Sequence, residues 1–324
     1  MDPRNLIDTA AEISIVGSFG RPGLVLRRRL FGWESPEPNC LAGRTALVTG
    51  PTSGLGRAAA EALAVLGARV ILAGRSPERL AALRDELVSR HAEDRFPIVT
   101  VDMGSLVSVR AAAARIVESE PRLDVVVDNA GTIYPERTVG PDGIEATLAI
   151  LAVGPFVLVS GLLPLLERTP GSRVISVTSG GMYSQRVVFD DLGFEREPWS
   201  GARAYARAKR VGVALMREWS RRTAGRGITF IAMHPGWADT PGLAKSLPGF
   251  YRRMRRLLRT PAEGADTIVW LATAPATEVM GGKLYLDRRP RPFDRIPSTR
   301  LSTADRRRLW EVAVELSRSP DPLG

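Results

Sequence analysis

Cysteine, histidine and lysine are scarce in this 324-residue chain. The single cysteine, Cys40, excludes an internal disulfide and suits a reducing compartment. With one thiol and two distant histidines, His91 and His234, the sequence offers no ligand set for zinc, and no metal site is expected. No run of about 18 uninterrupted apolar residues is present, which argues against a spanning helix. Asp2, Arg4, Asp8 and Glu12 interrupt the apolar positions of the first twenty residues and break up a signal-peptide core. Acidic residues are outnumbered: 45 basic against 35 acidic side chains give a formal net charge of +10. Only Lys209, Lys245 and Lys283 are lysines, so arginine is the default cation here. The charge is spread along the chain and accompanies no nucleic-acid motif, so nucleic acid is not an expected partner.

What is present is 44% hydrophobic residues, enough for a sizeable core, arranged as alternating strand and helix patterns. Short apolar runs at 45–50, 69–74, 96–102 and 123–131 are separated by helical stretches at 55–67, 76–91 and 105–119. Ser76-Pro77 opens the second of these helices as N-cap and first helical residue. The alternation continues through helices at about 143–168, 202–224 and 261–274 and strands at 172–179, 227–236 and 282–287. Seven strands separated this way predict one α/β domain, a doubly wound parallel sheet with helices on both faces. Residues 41–287 form that domain, 1–40 an N-terminal extension and 288–324 a C-terminal extension. An amphipathic helix is expected at 5–16, soon interrupted by Gly17, Gly20, Pro22 and Gly23. The Arg/Pro-rich stretch 288–297 reads as extended over the surface, and Ser302 starts a terminal helix to about Ser317.

Two groupings carry chemistry. Gly50-Pro51-Thr52-Ser53-Gly54-Leu55-Gly56 joins the first strand to the first helix of the domain. Glycines at 50, 54 and 56 permit a tight turn and close backbone approach, and the helix N-terminus presents N–H groups to a pyrophosphate. Tyr205 and Lys209 stand one helical turn apart. A phenol, with an ordinary pKa of about 10, needs a neighbouring cation to act as acid/base near neutrality.

On this glycine spacing, on Asp128-Asn129-Ala130-Gly131 and on Tyr205-x3-Lys209, the chain from about Leu41 to Asp287 resembles the short-chain dehydrogenase/reductase family. The resemblance implies a Rossmann-like fold and hydride transfer between a nicotinamide cofactor and a carbonyl or alcohol. It makes Tyr205 the acid/base, Lys209 its cation and a ribose ligand, and Ser179 the group that holds the substrate oxygen, with Thr178 and Ser176 as nearby hydroxyls. It places Gly50, Thr52, Ser53, Gly54, Leu55, Gly56, Asn129, Ala130 and Gly131 against the cofactor, with Asp102 and Met103 near its adenine. His234-Pro235-Gly236-Trp237-Ala238-Asp239-Thr240 matches the loop beside the nicotinamide, so Pro235, Gly236, Trp237 and Thr240 join the cofactor set. NAD-specific members usually carry a carboxylate where Arg75 stands; a guanidinium pairs instead with a 2′-phosphate, favouring NADP(H) over NAD(H). Arg57 and Arg79 stand nearby as assistants or as solvated helix residues.

The long gap from Ser179 to Tyr205, carrying Phe189-Asp190-Asp191-Leu192, resembles the retinol-dehydrogenase-like branch. Leu151 departs from the family, which usually has a water-holding asparagine there, and this motivates an alternative: a catalytically silent NADP(H)-binding sensor or scaffold. The segment 245–261 reads either as a lid over a lipophilic substrate, its Phe250, Met254, Leu257 and Leu258 inward and Arg252, Arg253, Arg255, Arg256 and Arg259 toward acidic lipid, or as a helix packed on its own domain. Arg27-Arg28-Arg29 near Phe31 and Trp33 reads the same way. The expected location is cytoplasmic with a peripheral membrane contact as an option, and the family often pairs as homo-oligomers through its fourth and fifth helices.

Overall fold

In the computed structural model, which describes residues 2–324, three helices precede the domain: α1 (Pro3–Ile13), α2 (Ile15–Phe19) and α3 (Arg21–Phe31). The domain then alternates β1 (Thr45–Thr49), α4 (Gly54–Val65), β2 (Arg69–Gly74), α5 (Pro77–Val88), β3 (Ile98–Thr100), α6 (Leu106–Ser119) and β4 (Val125–Asp128). It continues through α7 (Ala146–Leu148), a π turn at Ala149–Val153, α8 (Gly154–Glu167), β5 (Arg173–Val177), α9 (Gly201–Arg222) and β6 (Thr229–Met233). After α10 (Pro241–Ser246), α11 (Pro248–Met254) and α12 (Pro261–Thr273) come β7 (Leu284–Leu286), β8 (Arg289–Arg291) and α13 (Thr303–Ser317). The strands lie in the order β3-β2-β1-β4-β5-β6-β7-β8, parallel except for β8. The strand order reverses between β1 and β4, and such a switch point opens a crevice at the strands' carboxyl ends.

Both faces of the sheet are covered, so its strands read as continuous apolar runs. One core joins the sheet to α4, α5 and α12; the other joins it to α6, α8, α9 and α13. The stretch Ala146–Glu167 is long and apolar enough to cross a membrane, but 78% of its most apolar window is buried inside the fold, where it is a core helix. The terminal helix starts at Ser302 as expected, with a capping box between Ser302 and Asp305. Its Trp310 packs edge-on against Phe156 of α8 and Trp219 of α9, at 5.0 and 4.8 Å between ring centroids. The chain thus covers with its own tail the two helices through which pairing was expected.

Three readings of the sequence are corrected. The sheet has eight strands, not seven: Asp287 and Arg288, both at positive φ, form a two-residue turn that brings β8 antiparallel to β7. Pro290 in the middle of β8 disguised it, and an edge strand is where proline is tolerated. The glycines and proline at 17–23 do not end helical structure; Gly20 is the N-cap of α3 and Pro22 lies in its first turn. The third correction concerns charge. Arg27 is fully buried, donating to Asp8 (2.7 Å), Glu12 (2.6 Å) and Asp287 (2.7 Å). Arg259 is buried as well and holds Asp287 at 2.6 and 2.9 Å. Neither faces lipid. Arg291 grips Asp8 with two donors at 2.9 Å, and Arg295 pairs with Glu12.

Removing one partner from a buried charge network leaves the others uncompensated, at a cost of about 3–5 kcal/mol. Arg27→Ala is expected to lower the unfolding free energy by about that amount, while Arg28→Ala, an exposed neighbour, changes it by less than about 0.5 kcal/mol. Urea titration followed by tryptophan fluorescence measures both, and equal effects would refute the buried assignment.

Candidate active site

The residues expected at the site lie in the segments that follow the carboxyl ends of the strands, in the first turn of α4 or on α9. The loop between β1 and α4 is built around glycine: Gly50 and Gly54 have φ of 65° and 55°. A side chain at Gly56 would place its Cβ 2.3 Å from Gly50 O and 2.4 Å from Asn129 Nδ2. The loop is tied to the end of β4 by Asn129 Nδ2, donating to Thr49 O at 3.0 Å, and by Thr49 Oγ1, accepting from the backbone of Asn129 and Ala130 at 2.9 Å each. Thr240, the N-cap of α10, meets Gly54 closely enough that a Cβ there would lie 3.1 Å from its methyl. Gly50, Thr52, Ser53, Gly54, Leu55 and Gly56 therefore form a backbone cradle at the N-terminus of α4, with Asn129, Ala130 and Gly131 on one side and Thr240 on another. The cradle fits a pyrophosphate, since its walls are N–H groups and hydrogens where other residues would carry side chains.

Arg75 follows β2 directly and is exposed, as is Arg79 on the first turn of α5. Arg57 is committed elsewhere, to Glu61 at 2.8 Å and Glu86 at 2.5 Å. Asp102 lies beyond β3 with Met103 buried beside it; one carboxylate oxygen accepts from Gly104 N at 2.9 Å.

Ser179 ends the segment after β5 and caps the short helix Gly180–Ser184, its Oγ accepting from Gly181 N at 3.3 Å. That contact uses a lone pair and leaves the O–H free to donate. Thr178 is different: it is buried and its Oγ1 turns to Lys209 O at 3.4 Å, away from the crevice. The Gly180–Ser184 turn packs on α9 beside Tyr205, a Cβ at Gly181 being 3.4 Å from that of Ala206. Lys209 is buried, and its Nζ donates to Val177 O at 2.6 Å and lies 5.9 Å from the centre of the Tyr205 ring.

Burial pushes the Tyr205 phenol up to about 12. Lys209 contributes no lowering in this arrangement, its ammonium being engaged by Val177 O and 5.9 Å from the ring centre. Burial also lowers Lys209, opposed by the negative charge of Asp128. Leu151 is buried in the π turn, and a Cβ at Gly131 would lie 2.8 Å from its side chain. The segment 189–192 acts as a loop cap: Asp191 accepts from the backbone N–H of Glu195, Arg196 and Glu197 at 2.5, 3.2 and 3.1 Å. Burial works to raise the Asp191 carboxyl, but these donors hold it below its ordinary value.

One part of the site was not visible in the sequence. Phe19, from the N-terminal extension, is buried against Gly180, where a Cβ would lie 2.5 Å from its ring. Its carbonyl accepts from Trp237 N at 2.8 Å. Arg259 holds the same region, donating to Pro235 O at 3.1 Å, Ser18 O at 3.0 Å and Gly20 O at 3.3 Å. Pro235, Gly236 and Trp237 are thus fixed by two segments that only the fold brings near. Phe250 packs edge-on against Trp237 at 5.1 Å, and Met254 and Leu258 are buried. The apolar face of 245–261 therefore packs on its own domain, with Arg252, Arg253, Arg255 and Arg256 exposed.

Comparison with known proteins agrees with this geometry. The short chain dehydrogenase family profile matches residues 44–248. Dehydrogenase/reductase SDR family member 12 from Bos taurus is 38% identical over 282 residues, covering 85% of this chain and 87% of that protein. Retinol dehydrogenase 14 from Mus musculus is 32% identical over 293 residues, covering 86% of each. Among solved structures, the Pseudomonas aeruginosa RhlG/NADP active-site complex superposes with a TM-score of 0.62 at 25% identity, over 76% of this chain and 96% of that one. The chain belongs to the short-chain dehydrogenase/reductase family and is an oxidoreductase of alcohol and carbonyl groups that uses a nicotinamide cofactor.

Proposed function

We propose that this oxidoreductase uses NADP(H) in preference to NAD(H) and interconverts a carbonyl and an alcohol on a lipophilic small molecule. The observation that carries the proposal is the juxtaposition at the end of the glycine cradle: Tyr205 above the buried Lys209, next to the turn capped by Ser179. Ser179 donates its hydroxyl to the substrate oxygen and stabilises negative charge developing there. Tyr205 delivers or removes the proton at that oxygen. Lys209 supplies the cation that makes a phenolate tolerable once its ammonium turns toward the ring. Bound in the cradle, the cofactor gives or takes the hydride. Arg75 is exposed at the end of β2 and free to meet a 2′-phosphate, which supports NADP(H). The Trp237–Phe250 pair and Phe19 give the substrate side an aromatic wall. One relative is named for retinol, a substrate class in keeping with that wall.

The same proposal includes a peripheral contact with anionic membrane. Pro22, Val25 and Leu26 of α3 floor an open groove of about 460 Å³ flanked by Arg21, Arg29 and Arg256. Leu6, Ile7, Ile13 and Ile15 are exposed on the adjoining helices. Apolar side chains among arginines suit an interface rich in acidic headgroups.

Three measurements check these statements. With NADPH and a panel of aldehydes, ketones, retinoids and steroids, Tyr205→Phe is expected to lower kcat at least about 100-fold while NADPH still binds. Equal rates for variant and wild type, or binding without turnover in both, would instead favour a cofactor-binding sensor. Arg75→Glu should raise the Kd for NADPH at least about tenfold and leave that for NADH nearly unchanged, as loss of one charge-assisted contact predicts; parallel changes in both would remove the argument for NADP(H). Sedimentation with anionic liposomes should capture the protein at low salt and less at moderate salt, and Arg29→Glu with Arg256→Glu should abolish capture. No binding at either salt sinks the membrane contact.

A further inference from the structure

The N-terminal extension reaches the site at Phe19. Where α2 meets α3, three successive carbonyls are each taken by a donor from elsewhere in the fold. Ser18 O accepts from Arg27 Nη1 at 3.1 Å and from Arg259 Nη2 at 3.0 Å. Phe19 O accepts from Trp237 N at 2.8 Å, and Gly20 O from Arg259 Nε at 3.3 Å. The backbone is thereby tied on both sides of Phe19, and hydrogen bonds as well as packing aim its ring. That ring is buried. It stands edge-on to His234 and Trp237, at 4.7 and 5.8 Å between centroids, and stacks on Tyr183 at 6.4 Å. The Arg295 guanidinium covers both Phe19 and Tyr183, at 5.1 and 4.7 Å. The remaining neighbour is Gly180, where Cε2 and Cδ2 of the ring would lie 2.5 and 3.0 Å from a Cβ. Gly180 follows Ser179 and is the first residue of the turn that Ser179 caps. Gly181 of the same turn faces Ala206 of α9, the neighbour of Tyr205. The turn is therefore held between Phe19 and the helix that carries the acid/base.

We propose that Phe19 is a positioning residue for the reaction: its ring braces the Ser179 turn against α9 while its carbonyl holds the loop at Gly236-Trp237. One residue of the extension then sets the spacing between the hydroxyl that holds the substrate oxygen and the loop on the other side of the ring. The proposal rests on the reading of Ser179 and Tyr205 given above. Phe19 acts through Ser179 and Trp237 rather than on the substrate oxygen itself. A flat ring suits the place, because its edge fits against a backbone from which the side chain is missing. Gly236 is matched to the same residue, since at a φ of 69° a side chain there would run into Phe19 O. The hydroxyl of Ser179 must meet the substrate oxygen while Tyr205 reaches that same atom, and a misplacement of about 1 Å can cost about 100-fold in rate.

Kinetics of four variants separate positioning from packing. Phe19→Ala should lower kcat at least about tenfold, with KM for NADPH within about threefold because the carbonyl that holds Trp237 is retained. Leu24→Ala opens a hole at a fully buried position of α3 in the same extension. It should lower the melting temperature comparably and leave kcat within about twofold. Gly180→Ala sets a methyl against the ring and should also lower kcat. Adding Phe19→Leu to it should restore part of that loss, because the smaller side chain gives way; a role in packing alone predicts that the second substitution adds to the first. Equal kcat losses in Phe19→Ala and Leu24→Ala, or a double variant slower than Gly180→Ala, overturn the proposal. Phe19→Leu alone shifts kcat in the same direction as Phe19→Ala and serves if the latter does not fold. A further readout needs no turnover. Amide hydrogen exchange of residues 180–185, followed by mass spectrometry, should be at least about tenfold faster in Phe19→Ala than in wild type and unchanged in Leu24→Ala. Unaltered protection of that turn in Phe19→Ala overturns the proposal. Absence of turnover in wild type would fail the functional reading, while the exchange rates still decide whether Phe19 braces the turn.

Discussion

The carboxylate of Asp287 has no contact with solvent and receives both guanidinium groups that matter most in this fold. Arg27 reaches it from the N-terminal extension and Arg259 from the segment before α12. Arg259 spends its other donors on the carbonyls of Ser18, Gly20 and Pro235, and so fixes the loop that ends in Gly236-Trp237. A guanidinium presents its donors in a rigid plane, which is why one arginine can set the mutual geometry of several backbones where a lysine would not. His234 lies within this charged neighbourhood; burial first, then the charge of Arg259, holds its imidazole down to about 3. It is neutral at any physiological pH and adds no cation to a place already crowded with them.

Much of the catalytic domain was legible in the sequence because its signals are local. The spacing of Gly50, Gly54 and Gly56 follows from how closely backbones approach, and Tyr205 and Lys209 share a helix face by periodicity alone. Most of the strands that were read correctly are buried on both sides, where short apolar runs bounded by helical stretches fit a parallel sheet. The extension was illegible for the opposite reason. Asp8, Glu12, Arg27 and Arg291 look like ordinary surface charge until each is seen facing the others, and nothing local distinguishes Arg27, which is buried, from Arg28 and Arg29, which are not. The role of Phe19 was hidden likewise, since its contact with Gly180 exists only after the extension has folded back onto the middle of the chain.

At the site the same physics acts on a smaller scale. Tyr205, Lys209 and Asp128 are all in surroundings that disfavour their ions. Water cannot stabilise charge there, so each protonation state depends on its neighbours, and small movements of Lys209 toward the phenol have large electrostatic effects. With the Lys209 ammonium held at Val177 O, 5.9 Å from the centre of the Tyr205 ring, the phenolate gains charge stabilisation only when that ammonium turns toward it.

The pairing of Arg27 with Asp287 joins residues 260 positions apart, so the buried charge network cannot be completed until most of the chain has been made. Within the extension Arg27 can already pair with Asp8 and Glu12, whereas Asp287 and Arg291 follow much later in the sequence. Only when the turn between β7 and β8 has been made can Asp287 join Arg27 and Arg259. A chain cut short before Asp287 would contain the cradle, Tyr205 and Lys209 in sequence yet leave Arg27 and Arg259 without the carboxylate they share.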